Sequence, residues 1–260
     1  GSRITSGGLT AGQGGCRKGS HPVEWKGLLR HACGRSPFFS HHLSGETTVG
    51  WNKLISIGLL LWYLAVSVWM AQAPVDPQFW LLASILPALF VVLLIVTHRY
   101  LPLSHTSHAL ITAFLTLHTI GVHYTYAEVP VGVWMDQVLH LGRNHFDRIV
   151  HFSFGFLLAY PMEELFRLSA SIRGWVVYYL PVMTVLGLSG LWEIIESWVA
   201  RAVHPELGVT YLGSQGDIWD AQKDMAAALY GALISMTVLL IVRALRGAET
   251  ALESEAAFSE

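Results

Sequence analysis

Six blocks of 17 to 21 predominantly apolar residues follow one another between Leu54 and Leu245. That repetition limits the fold more than any other feature of the chain. At about 1.5 Å per residue, a helix of such length crosses the ~30 Å hydrocarbon layer of a bilayer. The blocks are Leu54–Ala71, Phe79–Thr97, Leu103–Val122, Phe146–Met162, Trp175–Trp192 and Met225–Leu245. Charged residues make up 13% of the 260, against about 25% in soluble domains. The expected fold is therefore all-α, a polytopic transmembrane bundle of six spans over residues 51–246. A disordered tail rich in Gly, Ser and His (residues 1–50) is expected before it, and a short acidic disordered tail (residues 247–260) after it.

Between the third and fourth blocks, Val131–Gly142 differs in kind. Trp134, Met135, Val138 and Leu139 recur at helical spacing opposite Asp136, Gln137 and His140, which predicts a short helix lying in the membrane interface. Trp51, Trp175, Trp198 and Trp219 fit the aromatic belts at the two surfaces. The basic residues set the orientation. Twelve of the sixteen Lys and Arg fall on the side of the leading tail, Arg99, Arg167–Arg173 and Arg243–Arg246. The opposite loops hold only Arg143, Arg148, Arg201 and Lys223. Positive charge stays in the cytoplasm, so both termini are expected there, as an even number of spans requires.

A net charge of −2 argues against a nucleic-acid partner; the bilayer is the partner that composition implies. The two cysteines, Cys16 and Cys33, indicate no disulfide framework, and with His21 and His31 they fit no familiar zinc spacing.

Given six spans, the ionisable residues gather at the extracytoplasmic helix ends. His123 ends the third block, Asp147 and His151 open the fourth, Glu193 and Glu196 leave the fifth, and Asp217, Asp220 and Asp224 lead into the sixth. Asp147 and His151 lie about 40° apart on a helix, and Glu193 and Glu196 about 60°. Unit charges ~4 Å apart at an effective dielectric of 20 repel by ~4 kcal/mol. Six acids here face only Arg143, Arg148 and Lys223, so a cation or shared protons would relieve the excess. The carboxylate and imidazole donors suit a divalent metal such as Zn, Mn or Fe better than Ca. His123, Asp147, His151, Glu193, Asp220 and Asp224 are the candidate ligands, with His118 as a deeper one. Glu196 is a candidate general base, and Arg143 or Lys223 a candidate holder of an anionic headgroup.

Structural roles are also open to these residues. Asp217 suits a helix N-cap, Asn144 a cap of the fourth block, and Asp147–Arg148 or Asp220–Lys223 an interfacial ion pair. Glu163 and Glu164 are expected to be solvated on the cytoplasmic side, and His98, His105 and His108 to lie at headgroup level. Three functions fit: a metal-dependent enzyme acting on a lipid or envelope-linked substrate, a scaffold whose polar network is structural, and a small ion- or proton-coupled transporter.

Four stretches carry a resemblance. They are GVHYTYAEVP (121–130), RNHFDRIVHF (143–152), WEIIESW (192–198) and QGDIWDAQKDM (215–225). In this order they resemble the bacterial YjdF-type inner-membrane proteins, a family classed as a domain of unknown function. The resemblance covers residues 51–245 and implies a multi-pass protein of the bacterial inner membrane, with no established reaction. Phe154 stands where members often carry Gln. A looser similarity exists to VanZ-like membrane proteins.

Overall fold

The computed structural model describes residues 47–257, with side chains from Leu54 to Thr250. The expectations placed on residues 1–46, including Cys16, His21, His31 and Cys33, lie outside the described residues.

Those residues form eight helices and no strand: α1 Thr47–Met70, α2 Pro77–Thr97, α3 His105–His123, α4 Pro130–Leu139, α5 Phe146–Ser169, α6 Val176–Ala202, α7 Pro205–Leu212 and α8 Asp220–Ala257. The six long helices fall on the six apolar blocks, and α4 on the expected interfacial stretch. Local chemistry sets the boundaries. Asp76 caps α2, its carboxylate accepting from the Gln78 and Phe79 amides at 2.9 and 3.0 Å, with Pro77 at the first helical position. Ser104 caps α3 in the same way through the Ser107 amide.

Two ends differ from expectation. Gly247 does not stop α8, which runs on to Ala257. An interior glycine costs about 1 kcal/mol, and the Ala- and Glu-rich residues around it are strong helix formers. The block Phe146–Met162 falls short of α5, which passes through Pro161 and continues through Glu163 and Glu164 to Ser169. A proline is tolerated within a membrane helix when neighbouring helices shield the interrupted turn.

α2, α6 and α8 are each long and apolar enough to cross a membrane unaided, and α1 adds the apolar stretch Leu54–Met70. α5 is long but polar, and it stands inside the bundle, packed on α3, α6 and α8. Its closest neighbour is α8. A Cβ at Gly155 would strike the Ala228 carbonyl, and one at Gly231 would strike the Phe152 carbonyl. Small residues let the two backbones meet, and Ala159, Ala228 and Ala232 are fully buried along the seam.

The central position of α5 corrects the expectation for Glu163 and Glu164, both of which are buried rather than solvated. Consecutive residues on a helix point about 100° apart, so each acid reaches a different neighbour. Glu163 receives a two-pronged bond from Arg243 of α8, at 2.8 and 3.0 Å, and lies 3.4 Å from Arg167. Glu164 accepts from the Ser104 amide and hydroxyl and from the Ser107 hydroxyl, closing the start of α3 against α5.

Two outcomes follow for the purified protein. Gly155→Leu should separate α5 from α8 and abolish a monodisperse fold on size exclusion. Glu163→Ala, which strands Arg243, should cost about 3 kcal/mol and lower the melting midpoint in detergent, whereas removing both partners should cost less.

Candidate functional site

At the end of the bundle where α5 and α8 begin and α6 ends, the polar residues form two layers. The outer layer holds the α7–α8 loop. Gly213 ends α7 in the left-handed region (φ 63°), and Gly216 (φ 88°) turns the chain toward α8. Arg143 donates to the Ser214 carbonyl at 3.0 Å and to Asp220 at 2.5 Å. Arg148 donates to Asp217 at 2.6 Å and to Asp220 at 3.1 Å, while Lys223 reaches Asp217 at 2.6 Å. Hydrogen bonds from Lys223 and then Arg148 hold the Asp217 carboxyl well below the usual carboxylate range.

Asn144 and Gln215 lock the same loop without charge. The Asn144 amide donates to the Gln215 side-chain oxygen, and the Gln215 side-chain nitrogen donates back to the Asn144 carbonyl, both at 3.0 Å. The Asn144 side chain also donates to the Ala127 and Val129 carbonyls and accepts from the Phe146 amide. His145, not Asn144 as expected, holds the N-cap position of α5; Asn144 instead satisfies the Phe146 amide and ties that helix to the segment entering α4. A Cβ at Gly132 would collide with it.

The inner layer is short of cations. Ligand atoms of Asp147, His151 and Asp224 all lie within 4.8 Å of one another. His151 Nε2 stands 3.7 Å from Asp147 Oδ1 and 3.7 Å from Glu193 Oε1. Neither distance is a hydrogen bond. Glu193 Oε1 and Asp224 Oδ1 are both buried with no hydrogen-bond partner in the protein, although Arg148 Nε lies 3.7 Å from Asp224. Glu196, one turn beyond Trp192, accepts from that indole at 2.6 Å. A side chain at Gly213 would stand 3.4 Å from Asp147, so the loop lies close over the acids.

Below this layer lies a cavity of about 350 Å³. Its walls are apolar apart from Asp147, His151, His118, Tyr126 and Ser189. The Tyr126 hydroxyl bonds His118 Nδ1 at 2.7 Å, and the Trp192 ring meets the imidazole edge-on. Pro87 releases the Ala83 carbonyl from the α2 ladder on this side, yet His118 Nε2 forms no hydrogen bond of good geometry. Ser189 Oγ is likewise buried without a partner.

The structure thus brings Asp147, His151, Glu193 and Asp224 together, with Glu196 on the same helix end. It does not bring His123. As the last residue of α3, His123 turns to the α1–α2 connection, where Nδ1 bonds the Met70 carbonyl at 2.7 Å and its own carbonyl receives the Val75 amide. Five residues apart on a helix, His118 and His123 point about 140° apart, and the inward residue is His118. Asp220, Arg143 and Lys223 belong to the ion-paired layer: the expected pair partners Asp147 and Asp220 are replaced, for Arg148 and Lys223 respectively, by Asp217 and Asp220 and by Asp217. Gln215 and Tyr126 were not singled out from the sequence, and Arg148 was expected only as a counter-charge, with Asp147 as its partner. Tyr126 is turned inward by two successive left-handed residues, Thr125 (φ 53°) and Tyr126 (φ 58°), against Gly121, where a Cβ would meet its ring. No sequence pattern announces that turn.

Comparison with known proteins agrees with this architecture. The family model described as "Predicted membrane protein (DUF2238)" matches residues 55–245. The inner membrane protein YjdF of Escherichia coli (strain K12) is 35% identical over 194 residues, covering 74% of this chain and 88% of that relative. No solved structure matches. A match over most of the chain, from the first long helix through the last, means that the protein belongs to the DUF2238 family of predicted membrane proteins.

Proposed function

We propose that the protein, in the bacterial inner membrane, holds one divalent cation between α5, α6 and α8 and uses it on the polar end of a lipid or envelope-linked substrate. The observation that carries this reading is the convergence of Asp147, His151 and Asp224 within 4.8 Å, with unpartnered buried oxygens on Asp224 and Glu193. Two ligands of a tetrahedral ion with bonds of about 2.1 Å stand about 3.4 Å apart. The 3.7 Å separations of His151 from Asp147 and Glu193 are close to that value and too long for hydrogen bonds. One imidazole with several carboxylates suits Zn, Mn or Fe. Such an ion would polarise an ester or phosphoester oxygen and sharpen a bound water as nucleophile, with Glu196 next to it as the proton acceptor. The distribution of Lys and Arg supports an extracytoplasmic site.

The ion-paired layer has a different role. With Arg143 and Arg148 bonded to Asp217 and Asp220, it fixes the α7–α8 loop over the acids and leaves the inner layer only the Arg148 Nε, 3.7 Å from Asp224, as a fixed cation. This is where a structural reading has direct support. Lys223, half exposed, is the basic residue best placed to meet an anionic headgroup at the rim.

Metal analysis after chelator stripping, loading with Zn²⁺ or Mn²⁺ and washing should give about one ion per chain. Asp224→Asn and His151→Ala should each weaken binding at least about tenfold while the variants stay folded. Loading that never becomes stoichiometric, or that survives both changes together, contradicts the proposal. For the outer layer the expected signal is pH-dependent. The folded pKa of Asp217 is depressed, so its contribution is present above the ordinary value of about 4 and is lost as pH falls through the lower folded value. Asp217→Asn should therefore lower the melting midpoint at neutral pH, and the gap to the unaltered protein should close in acid.

A further inference from the structure

An apolar cavity that ends at acids and an imidazole calls for an occupant with two chemistries. The cavity follows α5 from Asp147 and His151 down to Leu158 and Met162. That is about four turns, or about 22 Å. A volume of about 350 Å³ over this length gives a mean section of about 16 Å². It has room for about a dozen groups the size of a water or a methylene, at ~30 Å³ each. One hydrocarbon chain fits, and two do not.

The side walls indicate how such a chain would enter. One is α2, through Leu86, Pro87 and Phe90, and the other is α6, through Leu188, Leu191 and Ile195. α2 packs on α3 and α7, whereas α6 packs on α5, α7 and α8. Leu86, Leu188 and Leu191 each keep more than a third of their surface exposed. In a bilayer, that exposed surface meets lipid tails.

Two polar side chains interrupt the apolar lining of the cavity. Ser189 Oγ lies one turn below Glu193 on α6, and His118 lines the same cavity from α3, with the Ala83 carbonyl nearby. Both residues are more than nine-tenths buried, and neither Ser189 Oγ nor His118 Nε2 has a hydrogen-bond partner. In the tautomer where Nδ1 accepts from the Tyr126 hydroxyl, Nε2 carries the imidazole proton and is a donor. Polar side chains in the lining of an otherwise apolar cavity, one of them a turn beneath Glu193, suit the oxygen that joins a lipid headgroup to its chain.

We propose that this cavity binds one hydrocarbon chain of a membrane lipid, admitted sideways from the bilayer between α2 and α6, with a linkage oxygen at Ser189 and His118 and the headgroup at Asp147 and His151. The idea names the substrate class of the site proposed above and rests on that reading for the chemistry at the polar end. Chain binding itself requires no ion.

The test is photolabelling of the full chain in vesicles that contain a phospholipid with a diazirine on one acyl chain, with the labelled residues located by mass spectrometry. Label is expected on Leu115, Val150 and Leu158, which lipid packed around the bundle cannot touch, as well as on exposed Leu89. Ser189→Phe, or Ser189→Leu should the larger ring prevent folding, is expected to cut the buried label several-fold and to spare Leu89. A diazirine fatty acid run in parallel distinguishes a free amphiphile from an intact phospholipid as the source of the chain. Asp224→Asn separates the two proposals, since it removes a metal ligand outside the cavity and should leave the buried label intact. Label confined to outward-facing residues in the unaltered protein would overturn the lipid inference, whatever the metal analysis gives.

Discussion

A polar helix enclosed by its neighbours is the constraint on which the rest of this structure depends. α5 carries charge at both ends and lies against α3, α6 and α8, so every ionised group on it needs a partner inside the protein. At one end the need is met in full. Glu163 has Arg243 and Arg167, and Glu164 has the capped start of α3. At the other end it is not, because Arg148 turns to the loop acids and Asp147 and His151 are left facing Glu193 and Asp224. The contrast between a neutralised end and an under-neutralised one is the strongest reason to regard the second as a site.

Close approach makes both ends work. Gly155 and Gly231 let α5 and α8 touch backbone to backbone, which carries Asp224 to within reach of His151 and Arg243 to within reach of Glu163. One packing seam therefore sets the geometry of two clusters at opposite ends of α5. The α7–α8 loop adds a second restraint through Asn144 and Gln215, whose reciprocal bonds cost no charge and leave the inner carboxylates unshielded. Beneath them the cavity gives the same residues an apolar neighbourhood, which raises the electrostatic value of any ion held there.

The long helices were legible because hydrocarbon thickness leaves its imprint on segment length, and α4 because its apolar and polar faces repeat at helical spacing. α7 was not, since eight residues between Pro205 and Leu212 show too little periodicity to separate a helix from a loop. Within the site, Asp147 and His151 share a face of α5, as their spacing of four suggested, and that face turns inward. What spacing cannot show is which neighbour a residue meets. His123 lay at the right level yet faced the α1–α2 connection, and Asp220 shared a side with Asp224 yet paired with Arg143 and Arg148. Glu163 and Glu164 read as solvated because they lie past the apolar block Phe146–Met162, while the packing of α5 was not visible in the sequence. The family match supports the architecture and is silent on these contacts.

The central claim is a metal held by one imidazole and several carboxylates, and its most direct test is X-ray absorption on the purified chain loaded with one equivalent of Zn²⁺. A first shell of one nitrogen and otherwise oxygen at about 2.0–2.2 Å is expected, with the outer-shell scattering of a single imidazole that disappears in His151→Ala. An oxygen-only shell typical of a hydrated ion, unchanged by that substitution, would contradict it.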